Sequence, residues 1–121
     1  MNAMVPPLPK LDIDQAYRDG GWRPKASHVI ERQIAWALLN CLVAEFPGKQ
    51  LAVYDGGETI KCADPKAAME AIFAVDEAVV RLGGHWVLLI QGNGEDVVSD
   101  YGVNPQVESA VNAAMVAVGL G

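Results

Sequence analysis

Between residues 34 and 44 the chain reads IAWALLNCLVA, in which Asn40 is the sole polar side chain. Ser27 stands ahead of this run as a helix N-cap and Pro47-Gly48 stops it, so HVIERQIAWALLNCLVAEF reads as one helix. A helix that is apolar nearly all the way round must be covered on more than one side. It is either sandwiched inside its own domain or packed against a second copy of the protein, with Trp36 and Asn40 as the residues expected at such a homodimer interface. A chain of 121 residues has room for one core of this kind. Its 51% hydrophobic and 20% charged residues describe a packed globule rather than a disordered chain.

The punctuation after this helix is regular. QLAVYD and ETIKC read as two strands joined at Gly56-Gly57, glycines being suited to the positive φ of tight hairpin turns. Asp64-Pro65 opens a second helix, as N-cap and first-turn proline, which is expected to run to about Arg81 and to close at Gly83-Gly84. HWVLLIQ, the turn GNG and EDVVSDY read as a second hairpin, and Asn104-Pro105 opens a last helix that Gly119 closes. The expected fold is α+β in two layers: a four-stranded antiparallel sheet with helices packed on it, in the order αββαββα, the last six elements forming two successive ββα units. HWVLLIQ is apolar on both alternations, which predicts a central strand covered on both faces. Residues 1–26 are expected to form a flexible Pro-containing arm and loop, because Pro6, Pro7 and Pro9 favour extended backbone and withhold donors. Residues 27–121 form the single domain. Trp22 falls in the loop, either plugging the edge of the core or anchoring a partner.

Charge narrows the partners. The net charge is −6, and it resides in the body: residues 1–32 hold five basic and four acidic residues, the remainder four basic and eleven acidic. Such a body repels phosphate, so direct nucleic-acid binding is not expected, whereas a basic protein partner fits. No apolar run reaches the length of a membrane span and the N-terminal prolines do not suit a signal peptide, which points to a cytoplasmic protein with no membrane contact. Cys41 and Cys62 lack the spacing of a metal or disulfide framework and read as buried free thiols.

Little in the sequence is organised for catalysis. His28 and His85 start elements far apart, no His-x-His or Cys-x-x-Cys occurs, and Ser27, Ser99 and Ser109 sit in no nucleophile elbow. The two Gly-rich acidic stretches, DGGE and GNGED, lack the Gly-x-Gly-x-x-Gly and Walker patterns, so they read as turns rather than phosphate cradles, and no cofactor or metal is expected. Asp55, Glu58, Glu95 and Asp96 lie at these turns, where they are either ordinary solvated residues or a surface for a basic partner. Asp76 projects among Met69, Ile72, Phe73 and Val80 if its segment is helical, which predicts a buried acid, structural or in a pocket with His85 and Tyr101. The leading reading is a small acidic, non-enzymatic interaction or regulatory protein, an adaptor or an inhibitor such as the accessory proteins of phages and mobile elements, acting as a homodimer. A small-molecule-binding domain and a carboxylate-based hydrolase or isomerase are the alternatives.

Overall fold

A computed structural model describes residues 5–21 and 26–121, apart from the side chains of residues 16, 17, 26 and 27. Trp22 and the side chain of Ser27 therefore lie outside the described residues. The elements are α1 (Asp12–Asp19), α2 (Ala26–Glu45), β1 (Leu51–Tyr54), β2 (Thr59–Cys62), α3 (Pro65–Ile72), β3 (Glu77–Leu82), β4 (His85–Ile90), β5 (Val98–Asp100) and α4 (Pro105–Ala117). The strands form one antiparallel sheet in the order β2-β1-β3-β4-β5. The class is α+β, with two ββα units, β1-β2-α3 and β4-β5-α4, as the punctuation implies. The sheet has five strands rather than four.

The additional strand comes from the segment expected to complete the second helix. The helix stops at Phe73, and residues 77–82 alternate strictly, Glu77, Val79 and Arg81 on one face and the buried Ala78, Val80 and Leu82 on the other. That period of two, with three valines between residues 75 and 80, favours a strand over a helix once a neighbouring strand is present to pair with. Gly83-Gly84 is accordingly a two-residue hairpin turn, not a helix stop: Leu82 faces His85 across it, and the two glycines have φ of +55° and +90°, the pair of left-handed values that a type I′ turn demands. β3 inserts between β1 and β4 and joins the two ββα units into one sheet.

Both expected helix starts form. Asp64 accepts a bond from Ala67 N at 2.8 Å ahead of Pro65, and Asn104 Oδ1 accepts from Gln106 N and Val107 N at 3.0 and 3.2 Å ahead of Pro105. Together they fix where each helix leaves the sheet.

The core lies between the sheet and the helices. Val53, Val80, Val87 and Leu89 face Ile34, Leu38, Phe73 and Val111 in one continuous cluster. α2 packs against α3 and α4. Its remaining side is covered by the chain's own N-terminal segment, where Trp36 Nε1 donates to Pro6 O at 2.6 Å and Leu11 is buried. The apolar helix is thus sandwiched within its own domain. Residues 11–19 are attached at two further points. Asp12 N and Ile13 N donate to the carboxylate of Glu70, which places an α3 acid on the N-terminus of α1. Arg32, almost completely buried, pairs with Asp14 at 2.6 Å and lies over the ring of Phe73 at 4.8 Å.

Candidate interaction surface

The helices occupy one face of the sheet, and the alternation that fills the core on that side places a second set of residues on the other. On β4 these are Trp86, Leu88 and Ile90. Antiparallel register sets them beside β3: Arg81 opposite Trp86, Val79 opposite Leu88, and Glu77 opposite Ile90. Tyr54 and Ala52 of β1 continue the rows of Val79 and Arg81, Thr59 and Lys61 of β2 continue them further, and Asp100 of β5 lies opposite Leu88. No helix of the described chain covers this face.

Its centre is apolar and its aromatic groups are held in place. Trp86 is 39% exposed. A Cβ on Gly102 would stand 3.2 Å from Cζ2 of Trp86, so the glycine leaves room for the indole beside the segment that follows β5. The Arg81 guanidinium sits over the Tyr54 ring, 5.1 Å from its centroid, where the π face accepts a cation. A shallow depression lined by Val79, Arg81, Gly84, His85 and Trp86 marks the lower half of the face. Tyr54, Val79, Leu88 and Ile90 are half-buried by their neighbours alone. The expectation that HWVLLIQ is covered on both faces therefore holds for one face only.

The acidic turns lie at one end of this sheet. Register places residues 55–58, the start of β3 and residues 91–97 along the same end, with β3 between the two turns. The tips are therefore about three strand spacings apart, roughly 14 Å, and do not converge. Among the described residues no group of three or more His, Cys, Asp and Glu side chains is placed to hold a metal ion.

Both Gly-rich stretches do cradle an anion, and in each case it is a carboxylate of the chain itself. Asp55 Oδ1 accepts from Gly57 N and Glu58 N at 2.9 and 2.8 Å, and these backbone donors hold its carboxyl below the usual carboxylate range. In the other loop, Gly92 N and Gly94 N (the latter at 3.3 Å) both donate to Oε1 of Glu31, which is wholly buried on α2. Two amides of one turn aimed at one anion make a backbone concavity of the kind that elsewhere binds phosphate, and Glu31 fills it. No sequence signal marks Glu31, which precedes the apolar run at the polar start of its helix. Glu58, Glu95 and Asp96 are exposed, Glu95 and Asp96 within a 3₁₀ turn (Gly94–Asp96).

The remaining expected positions separate. Asp76 is exposed, in the turn before β3, so the helical projection that buried it does not hold; its backbone carbonyl accepts from Gln91 N at 2.9 Å. His85 is half-buried, stacked on Phe46 at 4.2 Å between ring centroids. Its Nδ1 lies 2.6 Å from Asn104 Nδ2, and because Asn104 Oδ1 is committed to capping α4, the amide is the donor and Nδ1 the acceptor. Tyr101 is half-buried against the core at the end of β5. Neither it nor His85 faces a pocket with Asp76. Trp36 is 8% exposed under the chain's own residue 6, and the half-buried Asn40 donates from Nδ2 to Trp36 O at 2.9 Å. Cys41 and Cys62 are buried free thiols, and burial raises the pKa of both, assisted at Cys62 by the charge of Asp64. No described helix is long and apolar enough to cross a membrane.

The chain matches no protein-family model, no curated protein and no solved structure.

Proposed function

We propose that this chain is a small non-enzymatic protein-interaction module whose working surface is the open face of its sheet. The observation that carries the reading is β4, a strand apolar on both alternations with only one of them covered, leaving an indole 39% exposed beside an arginine and a tyrosine. An uncovered apolar strip rimmed by charge is characteristic of protein-binding sites, and Trp, Tyr and Arg are the residue types that contribute most at their centres. The acids at the sheet's end, Asp55, Glu58, Glu95 and Asp96, form the rim, where they favour a partner with basic groups and speed its approach. A pocket-based or carboxylate-based activity has less support, since Asp76 lies at the surface and the turn acids do not meet.

Trp86→Ser tests this reading. The side chain packs on the outer face, so the fold is retained while the centre of the surface is removed. With the protein as bait, every partner retained by the wild type is expected to be lost, with circular dichroism unchanged. Retention of the same partners by the variant would dismiss the open face as the working surface.

A further inference from the structure

The pattern of side chains on the open face is self-complementary, and we propose that its occupant is a second copy of this chain, docked face to face about a two-fold axis that runs across the strands. The inference rests on the open face being the interaction surface and adds what binds there.

The middle row of the face consists of Thr59, Tyr54, Val79, Leu88 and Asp100. Two residues along the strands in one direction lie Glu77 and Ile90; two residues in the other lie Lys61, Ala52, Arg81 and Trp86. A two-fold axis along the middle row leaves each strand over its own counterpart, reversed. Val79 and Leu88 then meet themselves at the centre. Glu77 lies over Arg81 of the second copy, Arg81 over its Glu77, and Ile90 over its Trp86. A contact in which the same patch serves both partners is the isologous interface of a two-fold dimer.

An axis parallel to the strands and running along β3, the middle strand of the sheet, fails on charge. It would place Arg81 against Arg81 and Glu77 against Glu77 at the centre of the interface, where like charges are costly. Packed sheets stand about 10 Å apart and are rotated by about 30°. Residues 77 and 81 lie about 7 Å from the axis, so the rotation displaces them by only about 3–4 Å, which long Glu and Arg side chains absorb. The like-charge encounter left is Asp100 with itself, at the solvated edge strand. The face spans five strands of at most six residues, a footprint of roughly 400–500 Å² per copy before side-chain relief. This sits at the low end for a specific interface, so the expected dimer is a weak one.

Charge exchange tests the register. Glu77→Lys and Arg81→Glu each convert both predicted ion pairs into like-charge pairs, and each alone is expected to weaken self-association on the order of tenfold or more in sedimentation equilibrium. Mixed together, the two variants regain complementary pairs in both positions. Tagged E77K protein is therefore expected to retain untagged R81E protein and not untagged E77K protein, and the double variant is expected to dimerise like the wild type. Both residues are exposed, and circular dichroism checks that the fold persists. Wild-type protein that stays monomeric to hundreds of micromolar would overturn the second copy as occupant, as would dimers indifferent to the charge exchange. The broader reading falls separately: Trp86-dependent capture of a different protein by a monomeric chain would leave the interaction surface standing and remove only this occupant.

Discussion

Glu31 shows how one residue decides the meaning of a Gly-rich loop. Its carboxylate is wholly buried and receives the amides of Gly92 and Gly94, while its Oε2 is buried with no hydrogen-bond partner among the described residues. Gly92 has φ of +95° and Gly94 +60°, backbone values that turn the amides inward at little cost in glycine. The loop between β4 and β5 is thus shaped around an internal anion, so the anchor of GNGED sits some sixty residues earlier on α2. Glu31→Ala would orphan both amides and open space in the core, and is expected to cost on the order of 2–4 kcal/mol. Glu31→Gln retains an acceptor oxygen of the same reach and is expected to cost less, with its new amide group taking the place of the unpartnered oxygen. Urea melts of both variants check this. Equal losses would show that the site needs the charge itself and not an acceptor.

At the scale of elements, legibility followed the strength of local punctuation. Asp64-Pro65 and Asn104-Pro105 combine a side-chain acceptor with a residue lacking an amide, a pair of signals with few other structural uses, and both mark helix starts as expected. The segment from residue 73 to residue 82 carried two signals at once: a helical arc through Met69, Ile72, Phe73 and Val80, and an alternation through Ala78, Val80 and Leu82. Val80 belongs to both. Pairing to β1 and β4, which no local pattern reveals, decided for the strand and moved Asp76 from a supposed core position to the surface. The open face was legible for the same reason it was misjudged: two apolar alternations on HWVLLIQ imply two covers, but the sequence of one chain does not say which cover it supplies. The caps allow a quantitative comparison. Asp64 accepts one amide, whereas Asn104 accepts two and also donates to His85, tying the start of α4 to the start of β4. Asp64→Ala is expected to lower stability by about 1 kcal/mol and Asn104→Ala by about 2 kcal/mol. Equal shifts in urea midpoint, at unchanged m, would mean that the His85 bond contributes nothing to the folded state.

For the molecule as a whole, the distribution of cover is the informative feature. α2 is apolar around nearly its full circumference between Ile34 and Ala44, and it is covered within the chain by the sheet layer, by α3 and α4, and by residues 5–11, with Val29, Gln33 and Ala44 left exposed. The outer face of the sheet is apolar at its centre and closed by nothing described here. If the N-terminal segment were only resting on the surface, α2 would be the better candidate for a partner and the sheet face a second one. The contacts argue otherwise, because Trp36 gives its indole N–H to Pro6 O and Leu11 is 4% exposed. Removing residues 2–9 is therefore expected to cost roughly 1–3 kcal/mol, from uncovered indole and a lost hydrogen bond. It is also expected to expose an apolar strip on α2 that binds a hydrophobic dye and promotes irregular association. Wild-type self-association through the sheet, by contrast, is expected to be discrete and stopped by Trp86→Ser. Carrying Trp86→Ser on the truncated chain separates the two surfaces: discrete dimers disappear while dye binding remains. A truncated chain that melts with the wild type and binds no dye would show that the N-terminal segment covers nothing of consequence, and would return α2 to the list of surfaces awaiting a partner.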